Sequence, residues 1–263
     1  MIPCPIPDGK QIPFRAAIIL DSKKGNRYTA PSPIQPLSSR PMSRFISPDA
    51  SFQERMENEL SFMENCRSYF ADWREHRREL TPTQQELAER IRKAFDGVTC
   101  GDSLGYMSGF AEDDYCEKDI IKAFMRREQR TYWPAITPDW LFGLDDCLCY
   151  VEPEGFRFLL PAYMLADMQY EFHWNGLDCH LFRVSDRERN FSLFTPAQRD
   201  CVTDYVNEKR LEELREEIRT DWSLSVWKHL LPWEKAALPP DADEKRAAEE
   251  ILCAYMDKHG IEL

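Results

Sequence analysis

The chain has 263 residues, 43% of them hydrophobic, and a length of this order buries a core without disulfide stapling. Lys and Arg number 34 against 46 Asp and Glu, a formal net charge of −12 with a pI near 5.0. A field of that sign repels phosphate backbones and anionic lipid, which argues against nucleic acid and membrane and leaves a basic protein as the favoured kind of partner.

Residues 1–50 depart from the rest. They hold seven basic and three acidic side chains, a net +4 that leaves −16 on the remainder, and nine of the eighteen prolines. Proline interrupts a helical ladder and apolar anchors are few, so a proline-rich, partly extended arm is predicted. Its apolar run Phe14–Leu20 is placed to add a strand to a sheet edge, and the serine- and proline-rich run at 29–48 reads as a flexible linker. The start lacks a basic segment followed by an unbroken apolar stretch, and a cytoplasmic location is expected. Nine cysteines, an odd count without a Cys-x-x-Cys, fit buried thiols in a reducing compartment. No zinc-like spacing occurs, and neither metal nor cofactor is expected.

From Ser51, apolar Phe52, Met56, Leu60, Met63, Cys66, Phe70 and Trp73 recur every three or four residues and predict a helix of about 25 residues, with Glu and Arg on its other faces. Thr81-Pro82 with Gln84 is a capping box that opens a second helix. That helix buries Leu87, Ile91, Ala94 and Phe95, and Gly97 stops it. The glycines at 101, 105 and 109 suggest a tightly turned loop, followed by acidic Glu112, Asp113 and Asp114 and then a helix through Ile120, Ile121 and Phe124. Phosphate cradling is unfavourable beside so many carboxylates.

Trp133 to Met168 is the central packing stretch. Cys147–Val151 and Phe156–Leu160 alternate around Glu152-Pro153-Glu154-Gly155, which predicts a hairpin with Cys147 and Cys149 on one side, Gly155 in the turn and Pro161 opening a buried helical turn. Arg157, between Phe156 and Phe158, is the expected internal clamp on a carboxylate of the acidic loop. Asn175-Gly176 suggests a further hairpin turn with a strand on either side, through Tyr170, Phe172 and Trp174 before it and Leu177–Val184 after it. The fold class predicted is therefore α+β, mainly helical with a small antiparallel sheet in the middle of the chain. Thr195-Pro196 with Gln198 repeats the capping grammar ahead of Cys201, Val202, Tyr205 and Val206. A tryptophan-rich patch and a final helix from about Ala242 to Gly260 follow. The domain reading is an arm at 1–50, a core at 51–206, and a helical extension at 207–263 that packs on the core.

The run from Phe95 through Asp113-Asp114-Tyr115, the Trp133 to Trp140 region, the string Glu152-Pro153-Glu154-Gly155-Phe156-Arg157-Phe158-Leu159-Leu160-Pro161-Ala162-Tyr163-Met164, and Leu193 to Arg199 together resemble a bacterial family, domain of unknown function 6714, over about residues 84–206. The resemblance implies a compact α+β core and selects no mechanism.

For chemistry, His180 is in principle able to pair with Cys147 or Cys149, yet no nucleophile elbow or protease signature surrounds them. Asp102 and Glu112 to Asp114 on one side, with Asp145, Asp146, Glu152 and Glu154 on the other, are the carboxylates of a possible hydrolase cleft, with or without a divalent ion. The leading expectation is instead an acidic protein-binding protein, most concretely an immunity-type inhibitor that neutralises a basic bacterial toxin or effector. Asp113, Asp114, Glu152 and Glu154 would form its face, with Trp133 and Trp140 as aromatic anchors. A structural subunit of a larger assembly is the third reading. No motif encodes partner identity or oligomeric state.

Overall fold

The computed structural model describes residues 49–170, 176–182, 187–215 and 229–261, all within one compact unit, Phe45–Ile261. Apart from Asp49 and Ala50, the proline-rich arm lies outside these residues, as do Trp222 and Trp227 of the tail.

Local signals start and stop the helices. Helix α1, Phe52–Ser68, opens at Ser51, whose hydroxyl accepts from the Glu54 amide while Glu54 accepts from the Ser51 amide at 2.8 Å. Its stripe turns Met63 fully inward, but a short 3-10 segment, Trp73–His76, follows in place of one continuous helix. Helix α2, Pro82–Ala94, has the predicted Thr81–Gln84 box, and Gly97 ends the turn at φ 68°, a conformation that costs glycine little. Helices α3, Tyr106–Asp113, and α4, Lys118–Arg127, come next. After a 3-10 turn at Trp133–Ala135 follow α5, Pro138–Gly143, a second 3-10 segment at Asp145–Cys149, and α6, Pro153–Gln169. The order closes with α7, Gly176–Phe182; α8, Arg187–Asn190; α9, Pro196–Arg215; α10, Pro232–Ala236; and α11, Glu244–His259, which ends at Gly260 with φ 61°.

The antiparallel sheet predicted for the middle of the chain is not there. Among the described residues the only β pairing is an isolated bridge between Arg77 and Tyr170. Residues 145–149 form a 3-10 turn, and 153–169 form one helix whose residues from Phe156 to Met168 are buried except Arg157. A helix apolar on every side reads the same as a buried strand over short windows, which is why Phe156–Leu160 passes for a strand. Pro153 occupies the first turn of α6, where its missing donor is harmless. Pro161, expected at such a start, instead lies inside the helix, so the Arg157 carbonyl loses its usual partner.

Gly155 is not a turn glycine either. A β-carbon there would stand 2.4 Å from the Leu104 carbonyl and the Ser103 hydroxyl, so the residue is small because loop 100–104 crosses α6 closely. The second predicted hairpin fails as well, since Gly176 opens α7 and Leu177–Phe182 are helical; Asn175 lies outside the described residues.

Much of the aromatic surplus is core. Phe156, Phe191, Phe194 and Trp233 meet edge to face at 5.0–5.4 Å in the pairs Phe156–Phe191, Phe191–Phe194 and Phe191–Trp233, and Phe95 adds a further contact to Phe194. Helix α9 runs unbroken across positions 206–207 and packs on α2 and α11. Fully buried Arg210 ties α9 to α10 through Glu234 at 3.0 Å and also donates to Asn207 of its own helix at 2.7 Å. An arginine so deep requires both partners, because desolvating it alone is prohibitive.

Candidate functional site

Helix α3 positions the candidate site, and its two ends differ in kind. At the N-terminal end, buried Glu128 accepts hydrogen bonds from the amides of Gly105, Met107 and Ser108 at 2.8–3.1 Å and from the Ser108 hydroxyl at 2.7 Å. Arg130 completes the cluster at 2.8 Å. A carboxylate so placed satisfies exposed helix donors and complements the dipole. A β-carbon at Gly105 would fall 2.6 Å from the Glu128 carboxyl group, so a larger residue there would have to displace that carboxylate. The predicted glycine loop is thus largely a buried helix and its capping approach.

At the C-terminal end negative charge gathers against the dipole. Exposed Glu112 and half-buried Asp113 belong to the last turn, and half-buried Asp114 is the cap. Tyr115 then adopts φ 57°, the left-handed conformation usual for glycine at this place, with 93% of its surface exposed. The Cys116 amide closes the turn on the Ala111 carbonyl at 2.9 Å. Tyr150, at the end of the 145–149 segment that packs on α3, donates its hydroxyl hydrogen to Asp113. That bond, with burial and the neighbouring charge behind it, raises the Tyr150 hydroxyl pKa to about 12.

From α1, Glu59 hydrogen bonds to both Asp114 and Cys116. Burial first, then the Asp114 charge, lifts its pKa to about 7, so Glu59 and Asp114 behave as a carboxyl pair that favours holding a proton. Arg55 borders the patch through Glu117 at 3.2 Å and Asp119 at 3.5 Å. The resulting surface is acidic, carries two exposed tyrosines, and draws on α1, α3 and the 145–150 segment.

The remaining predicted site residues lie elsewhere. Glu152 is the N-cap residue of α6, with its amide donating to Ser103 Oγ at 2.9 Å and its carboxylate paired with Arg189. Glu154, in the first turn of the same helix, lies against Gly101. Trp133 is closed to any partner: it is 3% exposed and its indole N–H donates to the Phe95 carbonyl at 2.9 Å. Trp140 is half-buried beneath the Arg67 guanidinium, 4.6 Å from the ring centre, and Arg67 also pairs with buried Asp139. Arg157 does not clamp the acidic segment; its Nε donates to Gln198 Oε1 at 2.9 Å, fastening α6 to the start of α9.

Tyr115, Tyr150 and Glu59 are the members of the patch that sequence reasoning missed. Glu59 lies on what reads as the solvated face of α1, and nothing in the order of residues signals its contact with Asp114. Tyr115 follows the acidic trio directly, so its closeness to Asp114 was legible while its backbone conformation was not.

Cys147 and Cys149 do not share a side, because a 3-10 turn separates residues two apart by roughly 240°. Cys147 is buried with its sulfur 3.3 Å from the Tyr163 hydroxyl, and Cys149 is exposed. Two surface grooves flank Arg77, one lined by Arg78 and Glu79 and the other by Pro82, Glu86 and Arg92, with Leu80, Gln85 and Gln169 common to both. Among the described residues no group of three or more His, Cys, Asp or Glu is placed to hold a metal ion. Nor is any described helix long and apolar enough to cross a membrane.

Comparison with curated proteins and with solved structures found no match. A family model described as a family of unknown function, DUF6714, matches residues 83–235, reaching past the α9 start into α10. With more than half of its length covered by that match, the chain belongs to the DUF6714 family.

Proposed function

We propose that this chain is a protein-binding protein whose α3 C-terminal patch receives a Lys- or Arg-rich segment of a basic partner, the use expected of an immunity-type inhibitor that neutralises a basic toxin or effector. The observation that carries the reading is Tyr115, an exposed aromatic side chain at a left-handed backbone position, between Asp114 and Glu117. Placing tyrosine there costs backbone energy that glycine would not incur, and such strain is a reason to look for a use of the side chain. The flanking carboxylates would speed encounter with a cationic surface, and Tyr115 and Tyr150 would supply contact area.

The test is co-purification with a retained basic protein at low and high salt, comparing wild type with Asp113→Asn/Asp114→Asn and with Glu249→Gln/Glu250→Gln on α11. Both variants remove the same charge. Loss confined to the first supports the patch, and equal loss in both means that overall acidity alone is responsible.

A second reading, carboxylate-dependent hydrolysis, draws on the Glu59–Asp114 pair, since a carboxyl group with a pKa near 7 suits general acid work. Under it Asp114→Asn removes turnover; under the binding reading the same change only weakens association.

A further inference from the structure

We propose that the segment Arg77–Leu80 is an open strand edge on which a partner's extended peptide docks, adding beside it as a strand and setting one carboxylate on Arg77. The site shares no residue with the α3 patch and does not depend on that reading.

The backbone gives the first observation. Arg77 is extended, with φ −72° and ψ 126°, and its antiparallel bridge to Tyr170 is flanked by the Arg78 amide, which donates to the Gln169 carbonyl at 2.9 Å. In a bridge so flanked, the N–H and C=O of Arg77 itself point away from Tyr170. Exposure then alternates, with Arg77 and Glu79 exposed and Arg78 and Leu80 half-buried, the period of extended chain. Among the described residues the backbone N–H and C=O groups of Arg77 and Glu79 have no hydrogen-bond partner. An unpaired row of this kind is a template for another strand.

Charge gives the second. Among the described residues Arg77 pairs with no carboxylate, whereas Arg78 is held by Glu212 at 2.5 Å and Arg92 by Glu89 at 2.6 Å. Arg74, three residues earlier, stacks on Trp73 with its guanidinium 4.3 Å from the ring centre and adds positive charge to the same segment. An unpaired guanidinium beside free backbone groups suits a carboxylate brought by the added strand. Glu79, on the same face as Arg77, disfavours a second carboxylate two residues away. The peptide is therefore one with a single acid among apolar and hydroxyl residues.

Shape gives the third. The two grooves on either side of Arg77 share Leu80, Gln85 and Gln169, which leaves room for side chains of an added strand over a partly apolar floor. Gln85 donates its side-chain amide to the Leu80 carbonyl at 2.8 Å and keeps its own side-chain oxygen free to accept from a peptide.

The test uses the full chain and the capped, fluorophore-labelled peptide Thr-Val-Glu-Val-Thr-Val, read by anisotropy, with backbone amide exchange as a second measurement. Saturable binding is expected below about 1 mM, with slowed exchange at the Arg77 and Glu79 amides. Arg77→Gln is expected to weaken binding about tenfold, as is Lys in place of the peptide's Glu. Of two peptides N-methylated on alternate sets of amides, the one blocked on its paired side is expected to lose about tenfold, with the protein untouched. Asp113→Asn/Asp114→Asn is expected not to weaken the peptide. Absence of binding up to about 1 mM overturns the proposal. So does binding that both methylated peptides retain, which is attraction without strand pairing, or binding indifferent to Arg77→Gln and to the Lys peptide. A loss in the Asp113→Asn/Asp114→Asn variant equal to that in Arg77→Gln places the peptide on the α3 patch and overturns it as well.

Discussion

The N-terminal end of α3 is sealed by a carboxylate from another part of the chain, and the C-terminal end is left open with carboxylates of its own. Glu128 meets the positive end of the helix dipole and accepts from three amides that lack an intrahelical partner inside the core, so charge, hydrogen bonding and burial agree. Asp113 and Asp114 sit where the dipole disfavours them, beside a tyrosine in a glycine conformation. One end is organised for stability, and the other gives up stability for a charged, aromatic surface. Substitutions at the two ends should therefore move stability in opposite directions.

The largest effect is expected at the sealed end. Glu128→Ala leaves three amides, the Ser108 hydroxyl and Arg130 without their shared acceptor, and should destabilise the fold by about 3–5 kcal/mol in urea or thermal unfolding. A loss below about 1 kcal/mol would show that water replaces the carboxylate there and would erase the contrast.

The open end should show itself next through pH. Because the folded-state pKa of Glu59 lies above its unfolded value of 4.5, the native state holds a proton that the unfolded chain releases. Its contribution is fully present below pH 4.5 and is lost as pH rises through 7. Glu59→Gln should keep the neutral form at every pH and so relieve about 1–2 kcal/mol of this loss at pH 8, allowing for solvent screening. Unfolding curves at pH 5 and pH 8 measure it; equal wild-type and variant slopes between them would remove the Glu59–Asp114 pair. His180 gives the opposite slope, because its depressed pKa makes stability fall as pH drops from 6.5 toward 4. The Glu59 comparison is therefore best read as variant minus wild type.

Tyr115→Gly should raise stability by about 1 kcal/mol by relieving the left-handed backbone, while weakening association with a basic partner. A destabilised variant would mean that the tyrosine packs rather than waits. The smallest change is Asp113→Asn, which should stabilise α3 by about 0.3–1 kcal/mol at low ionic strength, with the gain shrinking in salt. Thermal unfolding at two salt concentrations reads both parts of that expectation.

Of this site, the carboxylates were legible and their neighbours were not. Asp113 and Asp114 stand out in any reading of residues 112–119, which hold five acids and one lysine. Tyr150 and Glu59 reach them from 37 residues downstream of Asp113 and 55 residues upstream of Asp114, and no local pattern encodes such a meeting. Trp133 shows the converse error. Its size suggested an anchor, but the Phe95 carbonyl gives its indole N–H a buried partner and the ring a place in the core.

By itself the sequence determined the starts of α2, α9 and α11 and the stops that follow α2 and α11. Thr81 with Gln84, Thr195 with Gln198, Asp243 ahead of α11, and the left-handed glycines 97 and 260 all act through bonds spanning only a few residues. Tertiary structure decided the state of Asp145–Gln169, because an apolar run buried on every side satisfies both a two-residue and a 3.6-residue period until neighbours surround it. It decided as well that Gly155 serves close packing rather than a turn, and that Glu59 favours keeping its proton. Each of these depends on which distant groups arrive beside a residue, and burial of that kind is a property of the assembled chain rather than of any window within it.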